Sequence, residues 1–316
     1  MQNPEYRLTR EGWGRALVEL GHENPNVVVL VGDLAGSTMV DLFQKEFPDR
    51  FIECGIAEQN MTTIAAGLSL IGKIPFYATY GAFATCRAAD QLRVTVCYSD
   101  LNVKIGGAHG GISVGPDGAT HQAMEEIAIV RSLPNMKMII PADYHETFKA
   151  TKAAAEIQGP VYIRFGREKV PVVTSEATLF EFGKANIMRD GNDIAIIACG
   201  VMVYKALVAA EDLEKSGIQA RVINMHTLKP LDEKIIISAA NECGGIVTAE
   251  EHQIYGGLGS ACAQVVAREY PVPMDYAAVM DRFGESGRPE ELLKAFGLTS
   301  SVIIQKAKEV LKRKRG

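Results

Sequence analysis

No run of the roughly 18 uncharged apolar residues that a membrane span requires occurs in this sequence. The opening stretch MQNPEYRLTREGWGRAL also lacks the basic-then-apolar layout of a secretory signal, so a cytoplasmic location is expected. There is no Cys-x-x-Cys pair. The six cysteines stand singly at 54, 86, 97, 199, 243 and 262, a pattern without zinc or dithiol signatures that fits reduced, mostly buried thiols. Clustered positive charge is scarce: the formal net charge is −5, and the basic residues gather only in the tail KRKRG, read as a solvated helix end. Nucleic acid and anionic membranes are therefore not expected as the main partners. Short repeats and low-complexity tracts are missing as well. GIVTAEEHQIYGGLGS carries a glycine-rich turn before a helix, but its spacing is not the G-x-G-x-x-G of a dinucleotide site.

What is present is apolar material in quantity. At 316 residues, 47% of them hydrophobic, the chain can build two cores, and two domains of about 150 residues are expected. Short β-branched runs (NVVVLVGD, KIPFYATY, NVKIGGAH, MKMIIPAD, PVYIRFG) alternate with segments of helical period (AEQNMTTIAAGLSLI, ATCRAADQLRVTVCY, HQAMEEIAIVRSL, ADYHETFKATKAAAE). Strands too apolar to carry a wet face predict an α/β fold with a parallel sheet covered on both sides. The alternation breaks over residues 171–185, PVVTSEATLFEFGKA, and resumes at DIAIIACG. This predicts a first domain over residues 1–178 and a smaller, mostly parallel α/β domain over 179–316, ending in the helical SSVIIQKAKEVLKRK.

Chemistry is suggested in two places. In FIECGIAEQNMTTIAAGLSLIG, Glu58 opens a helix that is otherwise small or apolar. A carboxylate suits a helix N-terminus, yet a helix uncharged all round has a buried start, and a buried carboxylate is costly without a partner. A hydrogen-bonding ligand would supply one. The second place is GGAHGGISVGPDGATHQ, residues 106–122, after a strand. Its glycines allow tight turns and close backbone approach, and His109, Asp117 and His121 stand among them, an arrangement better suited to a ligand than to a core. Their spacing does not match common metal signatures, so no metal site is read. Arg167 follows a strand and could meet an anion. Arg10 and Ser37 read as a helix-start and a turn residue, and Tyr80 and Phe83 as core aromatics.

GIAEQNM, DLAGST, TYGAF and AHGGISVGPDGATHQ, in this order and spacing, resemble the C-terminal half of transketolase, a thiamine diphosphate enzyme. The resemblance spans essentially the whole chain: the first part resembles the pyrimidine-binding domain, and the rest, with TLKPLD and EEHQIYGGLGS, the transketolase C-terminal domain. It implies that Glu58 hydrogen-bonds a ring nitrogen of the aminopyrimidine and so promotes deprotonation of the thiazolium carbon. His121 resembles the histidine near the cofactor's amino group and the reacting carbonyl, and Asp117 the aspartate that recognises a substrate hydroxyl. His109, Arg167, Arg10 and Ser37 resemble the residues around the sugar phosphate, while Tyr80 and Phe83 resemble the aromatics packed about the pyrimidine. The segment before RAADQ is one residue longer than in some relatives.

The resemblance also exposes a missing part. The family holds the diphosphate through Mg2+ with a Gly-Asp-Gly stretch and a later Asn on an N-terminal domain, and the nearest match, VGDLAG, lacks the second glycine. This implies a split enzyme, inactive alone, whose N-terminal companion subunit supplies those ligands in a two-plus-two heterotetramer. A pentose phosphate role is the family default. Deoxyxylulose phosphate synthase is a rival, but it usually carries an acidic residue followed by arginine where this chain has His109-Gly110. A 2-oxoacid dehydrogenase beta-type subunit typically lacks GPDGATHQ. A non-catalytic subunit that merely keeps a cofactor pocket has no evident need for Glu58, Asp117 and His121 together.

Overall fold

The computed structural model describes residues 4–315. Residues 1–3 and 316, the extreme ends of the two terminal stretches read above, lie outside it. No described helix is long and apolar enough to cross a membrane.

The β-branched runs form the expected strands. A seven-stranded sheet runs in the order Thr227–Lys229, Lys137–Ile139, Val161–Arg164, Lys104–Ala108, Ile74–Tyr80, Val27–Val31, Phe51–Glu53, and every neighbouring pair is parallel except the first. All five residues of Val27–Val31 and of Lys104–Ala108 are buried, as a sheet covered on both faces requires. On one face lie the helices Thr9–Glu23, Asp41–Glu46 and Tyr144–Glu156, packed about Trp13, whose indole stacks on Phe165 and meets Phe76 edge-on. On the other lie Glu58–Leu70, the π-helical turns Phe83–Arg87 and Gln91–Tyr98, and Glu126–Ser132. The helix expected from residue 121 therefore begins later, because residues 110–125 fold as an irregular loop. The helix expected over residues 84–98 is largely π-helical, a wider winding than the α-helix.

The second sheet has five strands, Met274–Val279, Ile246–Gln253, Ile194–Ala198, Ala220–Asn224 and Asn186–Arg189, parallel but for the last. Met202–Glu214 and Ser300–Arg315 belong to the core on one face, and Glu233–Cys243 with Leu258–Glu269 contribute to a cluster that also contains residues of the first sheet. The two sheets are tied further by Thr227–Lys229, which leaves the second and pairs antiparallel with the edge of the first. A two-stranded ribbon, Tyr6–Leu8 with Lys169–Pro171, brings the start of the first helix beside the end of Val161–Arg164. The Gly166 amide there donates to the Thr9 hydroxyl at 3.1 Å.

His226 sits where the interdomain strand begins. It is fully buried, its carbonyl accepts from the Ile140 amide at 2.7 Å, and its ring lies 4.5 Å from that of Phe180. Burial pushes the imidazole down to about 4 from its ordinary 6.5. A histidine held neutral by the fold contributes stability that is complete above pH 6.5 and lost as pH falls toward 4, on the order of 3 kcal/mol in total. The loss of thermal stability between about pH 7.5 and about pH 5 should accordingly be smaller in His226→Gln than in the parent chain. Equal losses in the two proteins would assign the acid sensitivity to other groups.

Candidate active site

Glu58 opens the Glu58–Leu70 helix and is 1% exposed. The turn before it is built by Glu53, whose carboxylate accepts from the Asp33 amide at 2.7 Å and the Gly55 amide at 2.9 Å, with Gly55 at φ 67°. A buried carboxylate needs a partner, and this chain provides one internally: the Arg87 guanidinium donates to Oε2 of Glu58 at 2.9 Å. Arg87 leaves the π-helical turn Phe83–Arg87 with its guanidinium 4.2 Å from the centre of the Phe83 ring, and its side chain stays half-exposed. Glu58 thus has a protein partner in addition to any hydrogen-bonding ligand. No local pattern marks Arg87 in the sequence; the lengthened segment before it is the nearest signal.

The next group is aromatic. The Tyr80 ring lies 4.2 Å from His109, 5.7 Å from His121 and 5.7 Å from Phe83, and Phe83 is 5.2 Å from His121. Two residues read as core aromatics thus form a shelf between the histidines. His109 follows Lys104–Ala108 at φ 55°, a left-handed conformation costly for a residue with a Cβ and common where function constrains the backbone. Its ring is buried, and Nδ1 has no partner. Burial, aided by Arg10, Arg167 and His121, pushes His109 down to about 3, so it is neutral at any ordinary pH. The Thr120 hydroxyl lies 2.9 Å from Nδ1 of His121.

Beyond the shelf lie the two arginines. Arg10 donates to the Ser37 carbonyl at 2.8 Å, so the structure joins these two residues through the Ser37 backbone, and the buried Nε of Arg10 has no partner. Burial, and then the neighbouring Arg167, lowers the Arg10 pKa. Arg167 donates from Nη1 to the Val114 carbonyl at 3.0 Å and to Asp117 Oδ1 at 3.1 Å. The sheet thereby gathers all nine predicted residues into one strip: carboxylate, aromatic shelf, then a cationic end with a neutral histidine.

The glycines of residues 106–122 divide by role. A Cβ on Gly107 would overlap the Tyr162 hydroxyl, and one on Gly106 would stand 2.8 Å from the Trp13 ring, so these two serve core packing rather than ligand approach. Gly111, Gly115 and Gly118 have positive φ and shape the loop. Among the described residues no group of three or more His, Cys, Asp or Glu side chains could hold a metal ion. A surface cavity of about 400 Å³, lined by residues that include Glu125, Ala128, Gln253, Tyr255 and Phe283, contains none of the strip residues.

Comparison with known proteins agrees with this architecture. Residues 6–173 match the transketolase pyrimidine-binding domain family, and residues 183–303 match the transketolase C-terminal domain family. The chain is 44% identical over 98% of its length to a putative transketolase C-terminal section of Methanocaldococcus jannaschii, covering 98% of that protein. It is 41% identical to the 6-deoxy-6-sulfo-D-fructose transketolase subunit SqwH of Clostridium sp. (strain MSTE9), covering 98% of this chain and 96% of that one. A solved split-gene transketolase, described as an inactive β4 tetramer, superposes with a TM-score of 0.92 at 49% identity over 98% of this chain and 99% of its own. The chain belongs to the transketolase family, whose pyrimidine-binding and C-terminal domains it carries.

Proposed function

We propose that this chain is the beta subunit of a split transketolase that moves a two-carbon ketol unit from a ketose phosphate to an aldose phosphate with a companion subunit. The observation that carries the reading is the strip itself, in which a buried carboxylate, an aromatic shelf and two arginines beside a neutral histidine succeed one another. The residues fit the pyrimidine half of thiamine diphosphate. Tyr80 and Phe83, with ring centres 5.7 Å apart, offer ring faces, the buried Glu58 a carboxylate for a ring nitrogen, and His121, 5.2 Å from Phe83, a donor near the reacting carbonyl. When bound, thiamine diphosphate supplies the electron sink for carbon–carbon cleavage. This chain's share is to bind and orient. Glu58 holds or shares a proton at the ring nitrogen, His121 donates to the developing oxyanion, and Asp117 accepts from a substrate hydroxyl. Arg10, Arg167, Ser37 and His109 receive the phosphate, two cations beside two neutral groups.

The diphosphate and Mg2+ ligands are assigned to the companion, because this chain carries no Gly-Asp-Gly element. Support for a subunit interface comes from exposed apolar side chains at both ends of the helix that Glu58 opens and on the π-helical turn packed against it: Ile56, Leu70, Ile71, Val94 and Tyr98. A two-plus-two assembly follows from pairing such surfaces about a twofold axis. We place the junction of the two domains near residue 178, between the matched regions.

The test is reconstitution. The purified chain should show no ketol transfer, and mixing it with a copurifying companion that carries the diphosphate site should yield thiamine diphosphate-dependent transfer between sugar phosphates. Activity of the chain alone would overturn the split-site reading.

A further inference from the structure

The loop that carries His109, Asp117 and His121 is rich in glycine and contains no regular element longer than the 3-10 turn Ile112–Val114. Glycine gives such a loop freedom, so something else must hold its shape. We propose that the C-terminal domain does so, with Glu251 as a positioning residue for the substrate site. The inference rests on the proposed function for the meaning of the site, but the contacts that carry it stand independently.

Glu251 belongs to the Ile246–Gln253 strand of the second sheet and is 2% exposed. Its Oε1 accepts from the Ser113 amide at 2.6 Å, across 138 residues of sequence. The loop backbone lies directly on this carboxylate, since a Cβ on Gly111 would overlap its carboxyl group. The Glu251 carbonyl in turn accepts from Nη2 of Arg164 at 2.8 Å, and Nε of Arg164 donates to Glu126 at 2.5 Å. A buried carboxyl group bonded to a backbone amide fixes the position of that amide, and the Arg164–Glu126 pair holds the Glu251 backbone that carries it. The next residue is Val114, whose carbonyl accepts from Arg167.

The other end of the loop is tied in the same manner. Nε2 of Gln122, next to His121, lies within hydrogen-bond reach of the carbonyls of Ile112 at 3.2 Å, Gly115 at 3.4 Å and Glu285 of the C-terminal domain at 2.8 Å. A Cβ on Gly118 would stand 2.5 Å from Oγ of Ser286, so the second domain also covers the turn after Asp117. Asp117 sits between these two ties and accepts from Arg167. A loosened loop would displace Asp117 and Arg167 together and leave Glu58 in place.

The experiment compares Glu251→Ala, Glu251→Gln and Gln122→Leu in the reconstituted two-chain enzyme, measuring kcat, KM for the sugar phosphate, and amide hydrogen exchange over residues 109–122. Glu251→Gln keeps an acceptor oxygen for Ser113 and should stay within about threefold of the parent in both readouts. Glu251→Ala should speed exchange about tenfold or more and raise KM by a similar factor, with a smaller change in kcat. Gln122→Leu should act in the same direction, and it serves as the test if Glu251→Ala does not fold. Unchanged exchange in the variants, or faster exchange with unchanged KM, would overturn the proposal. Failure of the split-enzyme reading would be seen separately, as absent ketol transfer in the parent complex, and the exchange measurement would still decide whether the clamp exists.

Discussion

Replacing Glu58 by Gln in the reconstituted two-chain enzyme is expected to lower ketol transfer by about a hundred- to ten-thousand-fold, with assembly intact. The size follows from what the carboxyl group does in the proposed mechanism. Positioned proton transfer contributes a factor of this order, and an amide cannot carry the proton. The substitution is close in volume, and the side chain stays at the start of the same helix, so neither the fold nor the apolar surface around Ile56, Leu70 and Ile71 should change. Glu58→Ala should lose at least as much activity, and it also leaves Arg87 without its carboxylate. Steady-state rates, with size-exclusion chromatography as the control for assembly, check the prediction. Near-parental turnover in Glu58→Gln would remove Glu58 from the chemistry, and loss of the complex would show an interface role instead.

The second large effect is expected at the cationic end. Arg167→Ala should raise KM for phosphorylated sugars about tenfold or more, the loss associated with a charge-assisted hydrogen bond to an anion, and should affect kcat less. Burial, and then the nearby Arg167, lowers the Arg10 pKa, and both arginines act on His109, so they occupy one small region. Two like charges brought close together are repulsive unless an anion is shared between them, which is the physical reason for reading a phosphate there. Arg167 also holds Asp117 and the Val114 carbonyl, so the variant should show reduced discrimination among sugars that differ in hydroxyl configuration. The same substitution should raise KM less for unphosphorylated aldoses, which lose only the positioning of Asp117. An unchanged KM for the phosphorylated substrate would remove Arg167 from the phosphate site.

The parts of the molecule legible in sequence are those that depend on local pattern. Val27–Val31 and Ile194–Ala198 announce themselves because a strand buried on both faces must be apolar at every position. Short edge strands were not legible: Phe51–Glu53 and Thr227–Lys229 carry three residues each, too few to show a period. The π-helical turns have a helical composition, and only their backbone distinguishes them. Gly106 and Gly107 illustrate the opposite error. In sequence they belong to one glycine-rich loop, whereas in space they make room for Trp13 and Tyr162.

By itself, the sequence determined the two α/β units, the order of their longer strands and most of their helices, and the motifs around Glu58, His109, Asp117 and His121 that resemble those of transketolases. Burial along a strand or helix is a periodic property of neighbouring residues, and the chain displays it directly. Tertiary structure alone decided which charges meet: Arg87 with Glu58, Arg167 with Asp117, Glu251 with the Ser113 amide. A buried charge is stable only beside a partner a few ångströms away, and the partner is chosen by sheet order and domain docking across as many as 138 residues. No local pattern along the chain encodes that choice.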